Sequence, residues 1–303
     1  MRFSVWPNLA QPWDEVVAVA RHAEATGWDG VWVADHFMGD GGGFGPVETP
    51  TLEATAALAG LATLTDRVRI GSLVLSATYR HPAVVANWAA TVDRMSNGRL
   101  VLGVGAGWQQ NEHEQYGIDL PAVGPRVDRF AEACTVMRGL LRDERTTFEG
   151  DHFQLTDAIS EPKPAQARLP LLIGGKGNRM LGLVARLADE WNMWSLPATI
   201  AERSAVLDAR CEDIGRDPGE IQRSTQALIM LTDDADAGRR FVEAVAPRAA
   251  IAGPVGAVAE VVEGWRQIGV DEVIVPDATL GHGPARLEAL DALIAELGPT
   301  FRD

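Results

Sequence analysis

The chain has 303 residues, 46% of them hydrophobic and 23% charged, a globular mix with ample apolar material for a large core. Its net charge of −15 argues against nucleic acid as a partner, which selects for basic faces, and no apolar run approaches the ~20 residues that span a bilayer. The two cysteines, Cys134 and Cys211, lie far apart without metal-ligand spacing and read as reduced helix residues of a cytoplasmic protein.

Met1-Arg2-Phe3-Ser4-Val5-Trp6 enters a strand directly, with no signal-peptide pattern. The first strand-like run, Phe3–Asn8, precedes a helix from about Trp13 to Thr26, with Val16, Val17, Val19, Ala20 and Ala23 on one broad face and Gly27 as its stop. The second run, Gly30–Phe37, carries Asp35-His36 at its end and is followed by the glycine-rich stretch Asp40–Pro46, a candidate lid. Thr49-Pro50 predicts the start of the second helix. The third run is Val68–Ala77; His81 before Pro82 reads as a loop or helix-start residue, and Asn97-Gly98 ends the third helix.

The fourth run, Leu100–Trp108, contains Gly103, Gly105 and Gly107 in alternation, which leaves one face without side chains for a flat ring or another backbone. It is not a dinucleotide fingerprint, because the last required glycine falls at Trp108. Thr146–Pro170 reads as a hairpin across Gly150-Asp151 with a proline-rich return, inserted between the fourth helix and the fifth run, Pro170–Gly174. The remaining runs are Glu190–Ser195, Ser224–Leu231 and Val270–Pro276. Eight strand-then-helix units predict a single (β/α)8 TIM barrel over residues 1–303, with its chemistry at the carboxyl ends of the strands.

Three features sit at those ends. His36 is placed to act as acid, base or hydrogen-bond donor near neutral pH, with Asp35 beside it facing the other way. Gly174-Gly175-Lys176-Gly177-Asn178, between the fifth strand and its helix, offers successive backbone N–H groups with Lys176 and Arg179 beside them, an anion site suited to phosphate, and Arg80, Lys176 and Arg179 are the candidates for a cationic lane near the mouth. Of the nine tryptophans, Trp6, Trp32, Trp108, Trp191 and Trp194 fall in strands or at their ends and suit an aromatic-lined pocket, with Phe37 next to His36. Asn111-Glu112-His113-Glu114 lacks the i, i+4 histidine pair of a helical zinc site, so no metal is expected. No nucleophile elbow is present.

Four segments in this order, GWDGVWVADHF (Gly27–Phe37), RVRIGSLVLSATYRHPAVVA (Arg67–Ala86), MSNGRLVLGVGAGWQQNEHEQYG (Met95–Gly117) and LPLLIGGKG (Leu169–Gly177), resemble the bacterial-luciferase-like superfamily, in its branch of oxidoreductases that use coenzyme F420, a 5-deazaflavin. The resemblance covers nearly the whole chain. It implies a barrel with an insertion, a homodimer, and a tricyclic ring in the barrel mouth, resting on a bulge with a cis peptide between Leu73 and Val74. It further places Ala106, Gly107 and Asn111 along the ring, Gly174, Gly175, Lys176 and Gly177 at the phosphate of the tail, His36 near the redox carbon and Asp35 near the cofactor pocket. The deazaflavin-dependent sugar-phosphate dehydrogenases of the superfamily carry a glutamate where Trp108 stands, which turns the expectation toward a more apolar small-molecule substrate. The function so implied is hydride transfer between F420 and that substrate. The alternatives are a monooxygenase using reduced flavin mononucleotide (FMN), supplied by a reductase, and a carrier of flavin or deazaflavin without a substrate pocket.

Overall fold

The structure is a computed structural model that describes residues 1–43 and 45–302; Phe44 of the glycine-rich stretch lies outside them. β1 (Arg2–Trp6) leads into α1 (Trp13–Thr26), which buries Val16, Val19, Ala20 and Ala23 and stops at Gly27, held in the left-handed region with a φ of 91°. β2 (Gly30–Val33), α2 (Ala54–Leu64), the short strands β3 (Arg69–Ser72) and β4 (Leu75–Ser76), and α3 (Pro82–Met95) follow. β5 (Leu100–Gly105) is succeeded by α4 (Gln110–Tyr116), α5 (Val123–Arg142) and an antiparallel hairpin of β6 (Thr146–Glu149) and β7 (Gln154–Ala158), where the sequence predicts one. The second half runs β8 (Leu171–Gly174), α6 (Asn178–Leu187), β9 (Glu190–Trp194), α7 (Pro197–Glu212), β10 (Gln222–Gln226), β11 (Leu228–Leu231), α8 (Ala235–Val245), β12 (Ala250–Gly253), α9 (Val255–Gln267), β13 (Glu272–Pro276) and α10 (Pro284–Phe301).

The strands β3, β2, β1, β13, β10, β9, β8 and β5 pair in that order, all parallel, and β3 pairs again with β5, so the sheet closes into an eight-strand barrel. Except for β10, whose Ser224, Thr225 and Gln226 are buried polar residues, the barrel strands are mostly apolar because helices cover them outside and side chains fill them inside. Within the barrel, Trp6, Trp32, Leu73, Val101, Leu172 and Ile274 pack on one another, each worth about 1.5–3 kcal/mol of burial.

A polar plug closes the amino ends of the strands. Glu272 accepts from Ser4 Oγ at 2.6 Å and Trp32 Nε1 at 2.9 Å, and pairs with Arg69 at 2.8 Å and Arg2 at 3.2 Å. Arg69 also bonds Glu190. Burial opposes the charge on Glu272, but Arg69 and Arg2 hold its carboxyl below the usual range.

Several expectations change in detail. The second strand ends at Val33, so Asp35 and His36 stand in the loop beyond it. α2 starts at Ala54 with Glu53 as its cap, accepting from Ala56 N, rather than just after Thr49-Pro50. The seventh run breaks in two: β10 joins the barrel, while β11 pairs with β12 in a separate parallel ribbon spanned by α8. This extra βαβ unit between the seventh and eighth barrel strands was not expected from the sequence. The third run is interrupted between β3 and β4 by a cis peptide joining Leu73 and Val74, the bond at which the resemblance places one. His81 is the cap of α3, its Nδ1 accepting from Ala83 N.

The alternating glycines of β5 serve that interruption. A Cβ on Gly103 would meet Ser72 O at 1.9 Å, and one on Gly105 would meet Val74 Cγ2 at 2.7 Å. The bare face therefore receives the neighbouring backbone and the Val74 side chain. Among the described residues, no helix is long and apolar enough to cross a membrane.

Candidate active site

His36 leaves the end of β2 with its side chain 17% exposed, and its Nδ1 lies 3.2 Å from Glu112 Oε2 on α4. Glu112 is completely buried. Its Oε1 accepts from Phe37 N at 2.5 Å and Met38 N at 3.3 Å, and its Oε2 also accepts from the Tyr79 hydroxyl. Burial works against ionisation, but His36, Tyr79 and the Phe37 amide outweigh it and hold the Glu112 carboxyl below the usual range. Burial and the Glu112 carboxylate together push the Tyr79 phenol up. An ionised Glu112 only accepts, so the His36 Nδ1 carries its proton toward it.

Asp35 turns the other way, although both residues stand beyond the end of β2, where strand alternation no longer applies. Its carboxylate takes both Arg80 guanidinium nitrogens at 2.7 and 2.9 Å, plus Ser76 N at 2.9 Å. Arg80 in turn bonds Glu53. Asp35 thus ties the loop after β2 to β4, with both carboxylate oxygens bonded, and it lines the smaller of two chambers over the barrel mouth. His113 is likewise occupied on both ring nitrogens, by Thr78 Oγ1 at 2.7 Å and Gln109 O at 2.6 Å. Among the described residues, no group of three or more histidine, cysteine or carboxylate side chains is placed to hold a metal.

Two chambers adjoin over the barrel mouth and share Trp6, Ala34, His36 and Trp194 in their walls. The smaller, about 460 Å³, is lined by Leu73, Val74, Ala106, Gly107, Gly174, Gly175 and Lys176, seven of the nine residues expected along the cofactor. Trp108, expected in the substrate pocket, lines this chamber and not the larger one, 54% exposed, with its ring edge-on to His36 at 5.6 Å. The larger, about 610 Å³, extends under the glycine-rich stretch and the unexpected βαβ unit. Both volumes fall in the ~300–1,000 Å³ range of small-molecule sites.

Three expected residues stand elsewhere. Asn111 donates to Gly39 O at 2.8 Å and lines neither chamber. Gly177 is the cap position of α6, outside both walls. Phe37 packs between Tyr79 and Tyr116 instead of facing a substrate. Trp32 and Trp191 are fully buried; Trp191 Nε1 donates to Gly175 O at 2.7 Å and fixes the glycine turn.

That turn also differs in its donors. Gly175, with a φ of 144°, gives its N–H to Asn192 O at 3.1 Å, so an anion there would meet the first-turn N–H groups of α6, which no side chain caps. Arg179 points to Asp128 and Gly124 O, and Arg80 is held by its two carboxylates, so neither serves as the expected cation. Lys176 and Arg126 line the chamber instead, and Arg126 Nε is buried without a partner. An orphaned guanidinium nitrogen, an uncapped helix start and a cavity walled by Val74 and small residues fit a flat ring with a phosphorylated tail. Glu112, Tyr79 and Arg126 are the residues that sequence reasoning missed. A carboxylate and a histidine side by side just after a glycine-rich strand were a signal for the first.

A family model described as luciferase-like monooxygenase matches residues 1–269. The F420-dependent glucose-6-phosphate dehydrogenase of Microbacterium testaceum is 39% identical over 171 residues, 55% of this chain and 48% of that protein. The pyrimidine monooxygenase RutA of Serratia proteamaculans is 37% identical over 173 residues, 54% of this chain and 46% of that protein. The chain spans about half the length of the curated relatives it matches. Among solved structures, an F420-dependent secondary alcohol dehydrogenase in complex with an F420–acetone adduct superposes with a TM-score of 0.85 at 23% identity, covering 100% of both chains, a likeness of fold.

Proposed function

Since this chain belongs to the luciferase-like monooxygenase family, we propose that it is an F420-dependent oxidoreductase acting on an apolar small molecule, with the deazaflavin ring in the smaller chamber and the substrate in the larger. The observation that carries this reading is the position of His36, in the wall of both chambers with a buried Glu112 behind it. When bound, a deazaflavin supplies two-electron redox chemistry by hydride transfer. The protein's part is to orient, exclude water and handle the accompanying proton. Glu112 fixes the His36 ring, His36 holds the proton at the boundary, and Trp6 and Trp194, 5.5 Å apart, wall the boundary beside it. Lys176, Arg126 and the start of α6 are the residues for the anionic tail. Trp108, where sugar-phosphate dehydrogenases of this superfamily carry a glutamate, favours an apolar substrate. A homodimer goes with this reading.

The RutA relative supports a second reading, a monooxygenase using reduced FMN from a reductase partner. A carrier would have no use for the second chamber. Titration with both cofactors tests the choice. An acidic chain must admit an acidic, phosphorylated tail through a local cationic lane, so the deazaflavin is expected to bind more tightly than FMN, and to weaken as added salt shortens the ~10 Å screening length of 0.1 M. Equal or reversed affinities would replace this reading with the monooxygenase.

A further inference from the structure

Resting on the assignment of the larger chamber to the substrate, we infer that this chamber selects an uncharged, largely apolar molecule with a single carbonyl or hydroxyl group at its His36 end. The wall is built mainly from Leu9, Met38, Pro46, Leu228, Val245 and Pro276. Arg248 and His36 are its charged or chargeable side chains among the described residues, and both are engaged. Arg248 donates to Gly43 O at 2.7 Å and lies 3.6 Å from Asp40, while His36 faces Glu112. Behind the wall, Asp277 is matched by Arg286 at 3.2 Å and by the Asn8 amide at 2.8 Å. A substrate phosphate or carboxylate would therefore lose its hydration and have to compete with Asp40 for Arg248, the one fixed cation of the described wall, and a buried charge so poorly compensated is penalised.

Most polar atoms of the wall are satisfied as well. Thr279 Oγ1 donates to Ile229 O at 2.7 Å, Thr51 Oγ1 to Thr49 O at 3.1 Å, and Asn8 Oδ1 accepts from Ala10 N at 3.0 Å. Among the described side chains of the wall, the Thr49 hydroxyl, the Asn8 Nδ2 and the indole N–H groups of Trp6 and Trp194 remain, all neutral. A sugar, with an acceptor or donor on every carbon, would leave its own hydroxyls unpaired against such a wall. An apolar molecule loses nothing there, and its one oxygen finds the imidazole.

The test compares 2-decanone, decanoate and glucose 6-phosphate by isothermal titration at pH 7.5, where the first two match in length and differ in charge. The ketone is expected to bind at least ~10-fold more tightly than decanoate, a difference of about 1.4 kcal/mol, with no saturable binding of glucose 6-phosphate. Ala278→Lys, which puts an ammonium on the chamber wall, is expected to narrow or reverse the preference. Overturning results are decanoate equal to or tighter than the ketone, saturable glucose 6-phosphate binding, absence of ketone binding, or an unchanged preference in folded Ala278→Lys. A cofactor titration in parallel separates the two layers: failure of the deazaflavin to bind, with the ketone preference intact, defeats the cofactor assignment and leaves the selectivity of the chamber standing.

Discussion

Turnover per bound cofactor is expected to fall by at least ~10²-fold in His36→Ala, with cofactor affinity changed only slightly. The imidazole stands in the wall shared by the two chambers, the one place where a group on the protein reaches both a ring and a substrate. Its Nδ1 is anchored by Glu112, so the ring is held in one orientation before substrate arrives. Cofactor retention, by contrast, rests on contacts along Leu73, Val74, Ala106 and Gly107 and on the tail site, none of which alanine at position 36 disturbs. A histidine with a purely structural role makes the opposite forecast: stability and cofactor retention fall together, and turnover per bound cofactor stays near normal. Activity normalised to cofactor occupancy, read from absorbance, distinguishes them.

Glu112→Ala is expected to lower folding stability by about 3–5 kcal/mol, the usual consequence of removing one partner from a buried charged cluster. Four donors lose their acceptor at once: His36 Nδ1, the Tyr79 hydroxyl and the amides of Phe37 and Met38. The effect carries a pH signature. His36, Tyr79 and the Phe37 amide depress the Glu112 carboxyl against the pull of burial, so its contribution is complete above the unfolded carboxylate value of ~4.3 and is lost as pH falls through the lower folded value. Urea unfolding of wild type and variant should show a wide gap at pH 7 that narrows in acid. A gap independent of pH would mean that Glu112 stabilises through packing and not as a carboxylate. Glu112→Gln, which keeps the shape, should recover part of the stability while turnover stays low, because a neutral amide no longer fixes the proton on His36 Nδ1.

The barrel was legible because most of its strands are apolar runs followed by a helical stretch, the polar β10 (Gln222–Gln226) being the exception, and because parallel strands buried on both faces leave that pattern unmixed. The β11–α8–β12 unit escaped for a local reason. Leu228–Leu231 follows β10 with only Ala227 between them, so the two strands read as one run, and Ala250–Gly253 is too short and too poor in branched residues to read as a strand. Its absence from the sequence reading mattered, since Leu228 and the segment from Ala244 to Arg248 wall the larger chamber.

In the site, His36 was found from position alone, at the end of a strand on the open rim. Glu112 was not, because its burial depends on amides and a phenol from loops more than thirty residues away in sequence. The glycines of β5 signalled a close approach, and only packing shows that the visitor is Val74. Of the expected cationic lane only Lys176 reaches the chamber, for the same reason: Arg80 and Arg179 are neutralised by Asp35, Glu53 and Asp128, partners that no sequence spacing announces, whereas Arg126 is brought to the chamber from the first turns of α5.

The division of the mouth into a ring chamber and a substrate chamber that meet at His36 is tested most directly by a crystal structure of the protein with bound deazaflavin. The account predicts the tricyclic ring against Val74, Ala106 and Gly107, the phosphate within hydrogen-bonding distance of the start of α6 with Lys176 or Arg126 turned toward it, and the larger chamber left open on the far side of His36. A ring lying in the larger chamber, or a phosphate away from Gly175 and Lys176, would contradict it.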